Sequence, residues 1–359
     1  MRIIRRYIAK EFLKVFLLCL SAVTSLYLIV DIFERLNSLL HYNAPFSLAL
    51  LYFLNKIPLV VSQVIPVVFL ISTVITLGIM GRYNETTALR ASGVSLFQMV
   101  TPILALALAG SILLLIGDEY LVSQASYRAE EIYRVEIKKK QRRSFFKKNQ
   151  LWYHKGRNIY YVRKFDPELD LLQEVTILTF NDQFELESRL DAVWAQWHGG
   201  QWHFYQVNKK RFGDGKIIQE ETYPEQVVDI PETPQTFERE EKKAEEMSLS
   251  ELRRLVKKLR EEGYDPTRYR VDMQAKISFP FGALVMAFIG IPFALRSGRT
   301  RGLALGLGAS LFIAFIYWAT HSLSLSLGHA GALPPWAAAW LANLLFIAFG
   351  IWLFLHIRQ

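Results

Sequence analysis

The chain has 359 residues, 52% of them hydrophobic and 21% charged, with a formal net charge of +9. That length suits two or three soluble domains, but the apolar residues crowd the two ends and the charges crowd the middle, which excludes a soluble globular enzyme and a disordered protein. The one cysteine, Cys19, lies in an apolar run, so no intrachain disulfide is possible.

Apolar stretches of ~20 residues, the length that crosses a bilayer, occur six times, at 12–33, 57–80, 97–117, 277–295, 303–327 and 335–357. Pro58, Pro66, Pro102, Pro280 and Pro292 fall inside them. Proline is costly in a water-soluble helix, whereas membrane neighbours re-satisfy the carbonyls it frees. The first stretch is longer than a signal-peptide core, and its exit, Val30-Asp31-Ile32-Phe33-Glu34, has no small-x-small cleavage site. It is expected to stay in the mature chain.

Between Asp118 and Lys276, 29 basic residues meet 29 acidic ones, so the whole +9 lies outside this insert. With a cytoplasmic N-terminus, the inner side holds Arg2, Arg5, Arg6, Lys10, Lys14, Arg82, Arg90, Arg296, Arg299, Arg301 and Arg358 against only Glu11 and Glu85. The short outer loops hold Asp31, Glu34, Arg35 and Lys56, which cancel. By the positive-inside rule both termini are cytoplasmic and the insert is outside. The pI of 9.4 is therefore a topology signal, unaccompanied by any nucleic-acid module.

The N-terminal membrane half, 1–137, contains an inner loop, Gly81-Arg82-Tyr83-Asn84-Glu85-Thr86-Thr87-Ala88-Leu89-Arg90-Ala91-Ser92-Gly93, whose 82–93 portion reads as a short helix closed by glycine. It suits a segment that takes force from a cytoplasmic partner, with Glu85 available to an Arg or Lys there; a plain structured connector is the other reading. The third span continues as helix from Asp118 to about Ile137, and the basic cluster 138–148 follows, either a solvated loop or a grip on anionic headgroups.

The outer domain, 138–247, turns to short β-like runs, among them 159–162, 175–180 and 202–207, with turn signals at Asp166-Pro167, Asn181-Asp182, His198-Gly199-Gly200 and Gly213-Asp214-Gly215. That spacing predicts an antiparallel sandwich or jelly roll. His198 and His203 lack a third ligand and read as surface histidines. In the last segment, 248–359, Ser248-x-x-Glu251 is a capping box for a helix over 248–262, ended by Gly263 and Pro266, before the three C-terminal spans.

No H-E-x-x-H, G-x-S-x-G or P-loop is present, so the chain has no ATP site of that kind and no enzyme signature. The span centres are nearly bare of ionisable groups, His321 excepted, which reads as a hydrogen-bonded core residue before a proton relay. Energy for any transport is then expected from another subunit. The small-residue run Gly302-x-x-x-Gly306-x-Gly308-x-Ser310 allows close helix packing within the chain or between chains.

Arg6-Tyr7-Ile8-Ala9-Lys10, the Asn84-Glu85 to Ala91-Ser92-Gly93 loop, Leu151-Trp152-Tyr153 with Ile159-Tyr160-Tyr161-Val162, and Ser248-Leu249-Ser250-Glu251-Leu252 through Tyr269 to Lys276-Ile277 together resemble the LptF/LptG family, nearest its LptG branch. The resemblance spans essentially the full length and implies a membrane α-helical fold of three plus three spans with an inserted periplasmic β-jellyroll. It implies a permease subunit of the lipopolysaccharide export ABC transporter in the bacterial inner membrane. The partners it implies are an LptB-like ATPase dimer that uses the ATP, a second LptF/LptG-type permease, an LptC-like single-span protein and a periplasmic LptA-like bridge; no cofactor is expected on this chain.

By the same resemblance 82–93 is the coupling helix, with Glu85 docking into the ATPase beside Arg82, Asn84, Arg90 and Gly93. Arg35 and Arg128 match arginines that face lipopolysaccharide phosphates, and Lys56 lies at the same level. Leu28 and Glu34 depart from the pattern, standing where LptG has lysines. Two other classes remain open here. A lipoprotein-release or efflux permease places its outer domain after the first span instead, and a non-transporting scaffold or sensor gives the coupling loop no role.

Overall fold

The computed structural model describes residues 2–139, 151–166, 169–213, 216–230, 233–234, 242–261, 265–297 and 303–356. The chain forms two compact units, one of Met1–Lys139, Ala244–Val256 and Pro266–Gln359, the other of Lys140–Lys243 and Lys257–Asp265.

In the first unit six helices are long and apolar enough to cross a membrane. They are α1 (Arg2–His41), α2 (Phe46–Arg82), α4 (Leu96–Gly117), α7 (Thr267–Ser297), α8 (Leu303–His329) and α9 (Pro335–Leu355), with the short α3 (Glu85–Ala91) between the second and third. The 40 residues of α1 span about 60 Å, roughly twice the hydrocarbon thickness. Asn43, at φ 47°, closes α1 in the left-handed conformation that asparagine tolerates, and Pro45 precedes the first turn of α2.

The hub is the contact of α2 with α7. Of the most apolar stretch of each, 67% is buried, against 11% in α1 and 28% in α8 and α9. Gly290 makes this contact possible: a Cβ there would lie 2.9 Å from Thr73 Cβ and 3.2 Å from the Leu70 carbonyl oxygen. Leu70, Val74 and Leu77 then pack with Met286 and Ile289 in one core. The small-residue run on α8 contributes less. Gly306 approaches Val74, Gly308 faces open space, the buried Ser310 hydroxyl donates to the Gly306 carbonyl at 2.7 Å, and Gly302 lies outside the described residues.

α4 continues as expected to Ile137, through a π-helical turn (Asp118–Val122), α5 (Ser123–Glu131) and a second π-turn (Ile132–Ile137). An inserted residue rotates the side chains that follow. Asp118 meets Lys276 Nζ of α7 at 2.7 Å, while Glu119 accepts the Leu249 and Ser250 amides at the start of α6 (Leu249–Glu261). The capping box is present: the Ser248 amide donates to Glu251 at 2.9 Å and the Glu251 amide to Ser248 Oγ at 3.2 Å.

The second unit carries β1 (Leu151–Lys155), β2 (Asn158–Asp166), β3 (Leu171–Phe180), β4 (Leu186–His198), β5 (Gln201–Gly213) and β6 (Lys216–Val228) in one antiparallel sheet. The chain is thus a membrane α-helical protein with an inserted antiparallel β domain, as the sequence indicates. Its strand order is simpler than the Greek keys of a jelly roll: among the described residues every strand pairs only with its neighbours in sequence, an up-and-down meander. Two-residue turns join β1 to β2 and β4 to β5. Residues 140–148 of the basic cluster, Pro167, Asp214-Gly215, 238–241 of the linker and Gly263 lie outside the described residues.

A crease crosses this sheet. Arg163, Glu174, Val193, Gln206 and Pro224 occupy one line across β2 to β6 where the paired register is interrupted. Glu174 and Gln206 have φ of 48° and 53°. On the two sides of the line the buried face changes parity, from Val162, Val175, Ala192 and Val207 to Phe165, Leu172, Ala195 and Phe204, and all eight join one core. Without the left-handed residues, strict alternation would turn half of that set away from the core.

Gln206→Gly is expected to leave the stability of the full chain unchanged or raised. Gln206→Val, a β-branched residue at positive φ, is expected to lower it by about 1–2 kcal/mol, read as faster proteolysis of the β unit in detergent. A valine variant as resistant as the parent would show that the crease does not depend on this conformation.

Candidate functional site

Side chains with chemistry collect at the two ends of the bundle. At the end where α1 begins, Asn84 (φ 55°) turns the chain out of α2 and its carbonyl accepts the Ala88 amide at 2.9 Å. Gly93 (φ 86°) closes α3, with Gly93 N–H donating to Arg90 O and Val94 N–H to Leu89 O, both at 3.0 Å. This double closure satisfies carbonyls the helix end leaves open, and glycine supplies the left-handed angle at no steric cost. Leu89 and Val94 pack on the bundle core, while Arg82 and Arg90 stay exposed beside Tyr83 (69% exposed) and Phe97 (67% exposed). The Tyr7 hydroxyl of α1 donates to the Glu85 carboxylate, 3.2 and 3.3 Å from its two oxygens.

At the opposite end, Asp31 and Arg35 stand one turn apart on α1, and Tyr52 and Lys56 one turn apart on α2, so each pair shares a helix face. Lys56 Nζ lies 2.5 Å and Arg35 Nε 3.2 Å from the same oxygen, Asp31 Oδ1. The Arg35 guanidinium rests over the rings of Tyr133 and Tyr52, 4.4 and 5.0 Å from their centroids, and Lys56 Nζ is 5.5 Å from Tyr52. Tyr52 packs with Ala129, Ile132 and Ile137 of the α4 extension, which brings Tyr133 under Arg35. Arg128 lies on α5 and pairs with Glu131 at 3.0 Å, not with Asp31. A buried pair of this kind adds little net stability; it fixes the distance between α1 and α2.

A cavity of about 590 Å³ opens within this unit, reached by Tyr27 of α1, Gln63 of α2, Lys276 and Phe279 of α7, and Trp318 and His321 of α8. Its walls are mostly apolar, with Asp118 and Lys276 paired on its margin. His321 is buried; its ring is parallel to that of Tyr317, ring planes 6° apart, and meets Phe279 at a 45° tilt. Its Nδ1 has no hydrogen bond among the described residues, so stacking holds the ring where the sequence suggested hydrogen bonding. In the β unit, His203 Nδ1 lies 2.8 Å from Glu225 and the His198 ring is 6.4 Å away.

Residues 6–356 match the sequence profile of the lipopolysaccharide export system permease LptF/LptG. The chain belongs to the LptF/LptG family. It is similar to LptG of Escherichia coli K12, 22% identical over 361 residues that cover 99% of this chain and 98% of that protein. It is equally similar to LptG of Haemophilus influenzae, 22% identical over 350 residues covering 97% of each. The protein is accordingly a multi-pass membrane permease, a transport subunit of the lipopolysaccharide export system.

The LptF/LptG pattern places Arg82, Asn84, Glu85, Arg90 and Gly93 on one loop; the structure has the last four on α3 or its two turns and Arg82 as the final residue of α2. It brings Arg35 and Lys56 together but keeps Arg128 on a separate ion pair. Lys56 is not a free cation, because Asp31 neutralises it. Tyr7, Asp31, Tyr52 and Tyr133 were not foreseen as site residues. The four-residue spacings Asp31–Arg35 and Tyr52–Lys56 were the available signal. Leu28, one of the departures from LptG, packs against the α1–α2 core of Cys19, Val60 and Val64, and Glu34 is exposed.

Lys56→Met, which removes the shorter of the two contacts to the buried Asp31 and leaves it Arg35 alone, is expected to cost about 1–3 kcal/mol and to lower the thermal midpoint of the detergent-solubilised chain. Asp31→Leu combined with Lys56→Met is expected to recover most of it. Equal midpoints for the single variant and the parent would show that the pair is not buried as described.

Proposed function

We propose that this chain is one of two paired permeases that extract lipopolysaccharide from the outer leaflet of the inner membrane and pass it to a periplasmic bridge. An LptB-like ATPase dimer uses the ATP and drives the pair through α3; an LptC-like single-span protein and an LptA-like bridge complete the path. In this reading both termini and α3 are cytoplasmic and the β unit is periplasmic. Acyl chains lie against the apolar walls of the cavity, and phosphates are drawn to Arg35, Lys56 and Arg128.

The observation that carries the reading is that one helix, α1, holds both candidate sites. Its first turns meet Glu85 through Tyr7, and its far part carries Asp31 and Arg35 at the cation cluster and Tyr27 at the cavity. A push on α3 is therefore delivered to the lipid end without an intermediate element. Exposed Ile3, Tyr83 and Phe97 around α3 give a partner apolar contact area beside Glu85 and two arginines. The long α1, so little buried in the chain alone, leaves a face for a second permease.

Glu85→Arg is expected to reduce co-purification of the ATPase at least about tenfold while the chain still inserts and still recovers its permease partner. Full ATPase recovery and normal export by that variant would count against α3 as the coupling element. Tyr7→Phe is expected to keep assembly but to lower lipid-stimulated ATP hydrolysis several-fold; unchanged stimulation would mean that Tyr7 does not position Glu85.

A further inference from the structure

We propose that Asp31 is a built-in competitor for the lipid's phosphate. It occupies Arg35 and Lys56 while the site is empty and yields them when a phosphate monoester arrives, so that loading widens the gap between α1 and α2. The inference rests on the reading above, in which these two cations attract the lipid headgroup.

The contact is that of a place-holder. Both cations converge on Oδ1, while Oδ2 is buried and has no hydrogen-bond partner among the described residues. Arg35 gives Asp31 only its Nε, although a guanidinium can bind a planar or tetrahedral anion through two nitrogens at once. Two cations touch one carboxylate, and the acid that balances the second, Glu34, is exposed to solvent. A phosphate monoester carries about −1.5 to −2 and three acceptor oxygens, so it matches the pair of cations better than one carboxylate does.

The cations themselves need not move far. Tyr52 lies beneath both, and Tyr133 beneath Arg35. Those rings belong to α2 and the α4 extension and pack in one core, so the platform stays in place whichever anion is bound. The anion is what changes. Asp31 pulls α1 directly onto Lys56, whereas an intervening phosphate spaces the helices by its own width and repels the displaced carboxylate. Since α1 also carries Tyr27 on the cavity wall, the occupant of this cluster sets the opening of the cavity at that end.

The test uses the assembled transporter in nanodiscs, a bisphosphorylated lipid A as probe, and its dephosphorylated form as control. Asp31→Asn is expected to bind the phosphorylated probe about tenfold tighter than the parent, with no change for the control. Its lipid-free thermal midpoint falls, because the buried Lys56 and the half-buried Arg35 lose their shared partner, and the phosphorylated probe restores it. Asp31→Glu, which keeps the carboxylate, is expected to bind as the parent does. Should Asp31→Asn fail to assemble, Asp31→Asn with Lys56→Gln leaves fewer unpaired charges and is expected to bind tighter than Lys56→Gln alone.

Binding that is unchanged or weaker without the Asp31 carboxylate, while Arg35→Gln with Lys56→Gln loses the probe, overturns the competitor role and keeps the lipid site. If that double variant binds the probe as the parent does, the lipid site itself is elsewhere and the competitor role falls with it. Inorganic pyrophosphate that restores the midpoint as fully as lipid A does would make a free anion the occupant and overturn the lipid as the displacing ligand.

Discussion

A bilayer interior has no water to solvate a charge or an open peptide group, and the membrane unit is arranged by that constraint. Ionic side chains are driven to the two ends of the bundle, and whatever passes between the ends must pass through helices. α1 is the helix on which the polar ties at both ends converge. Tyr7 holds its beginning to Glu85, and Asp31 and Arg35 hold its far part to Lys56 and the tyrosines. Between those ties α1 rests on α2 through Ile8 and Phe12 in one core and Cys19 in another, with most of its surface turned outward. It is fixed at points and loosely supported between them, the mechanical condition for a helix that tilts without unfolding.

The contrast with α2 and α7 sharpens this. Their contact is close enough that Gly290 tolerates no side chain, and the buried Thr73 hydroxyl at that contact turns back to the Phe69 carbonyl of its own helix. Tyr317, Asn343 and the Ser278 carbonyl form a hydrogen-bonded chain that ties α8 and α9 to α7. Such a network gives a defined arrangement rather than an adjustable one. The unit therefore divides into a rigid frame built on α2 and α7 and a flank, α1, attached to it by replaceable contacts.

Much of this was legible in the sequence, because its strongest signals are one-dimensional. Runs of ~20 apolar residues give the spans, Gly93 gives the end of α3, and Ser248 with Glu251 gives the start of α6. The strand region was legible as strands but not as a sheet with a crease. A period of two through Trp202, Phe204 and Gln206 puts Val207 on the outside, and only the left-handed angle at Gln206 returns it to the core. The cation cluster was half legible. Arg35 and Lys56 stand out as charges at span ends, but that one aspartate serves both, over two tyrosines from different helices, depends on how α1, α2 and the α4 extension face each other. No spacing within a single helix carries that. The π-turns have the same character, since nothing in Asp118-Glu119-Tyr120-Leu121-Val122 advertises an inserted residue.

Those π-turns decide which part of the unit the start of α6 follows. At the first, consecutive acidic residues serve two partners: Asp118 binds Lys276 of the rigid frame, and Glu119 caps the first turn of α6. Ser123, at the end of the same turn, donates to the Met247 carbonyl just before that helix. A regular helix sets neighbours about 100° apart along its whole length, so whatever follows the insertion would lie elsewhere around the axis. The start of α6 is thereby joined to α4 and α7 rather than to α1. A tilt of α1 changes the cavity wall at Tyr27 while the opposite wall, at Lys276 and Phe279, keeps its position together with the entry to α6. The two walls are thus anchored differently, one through the replaceable ties of α1 and the other through the rigid frame, and a change at either end of α1 reaches only the first.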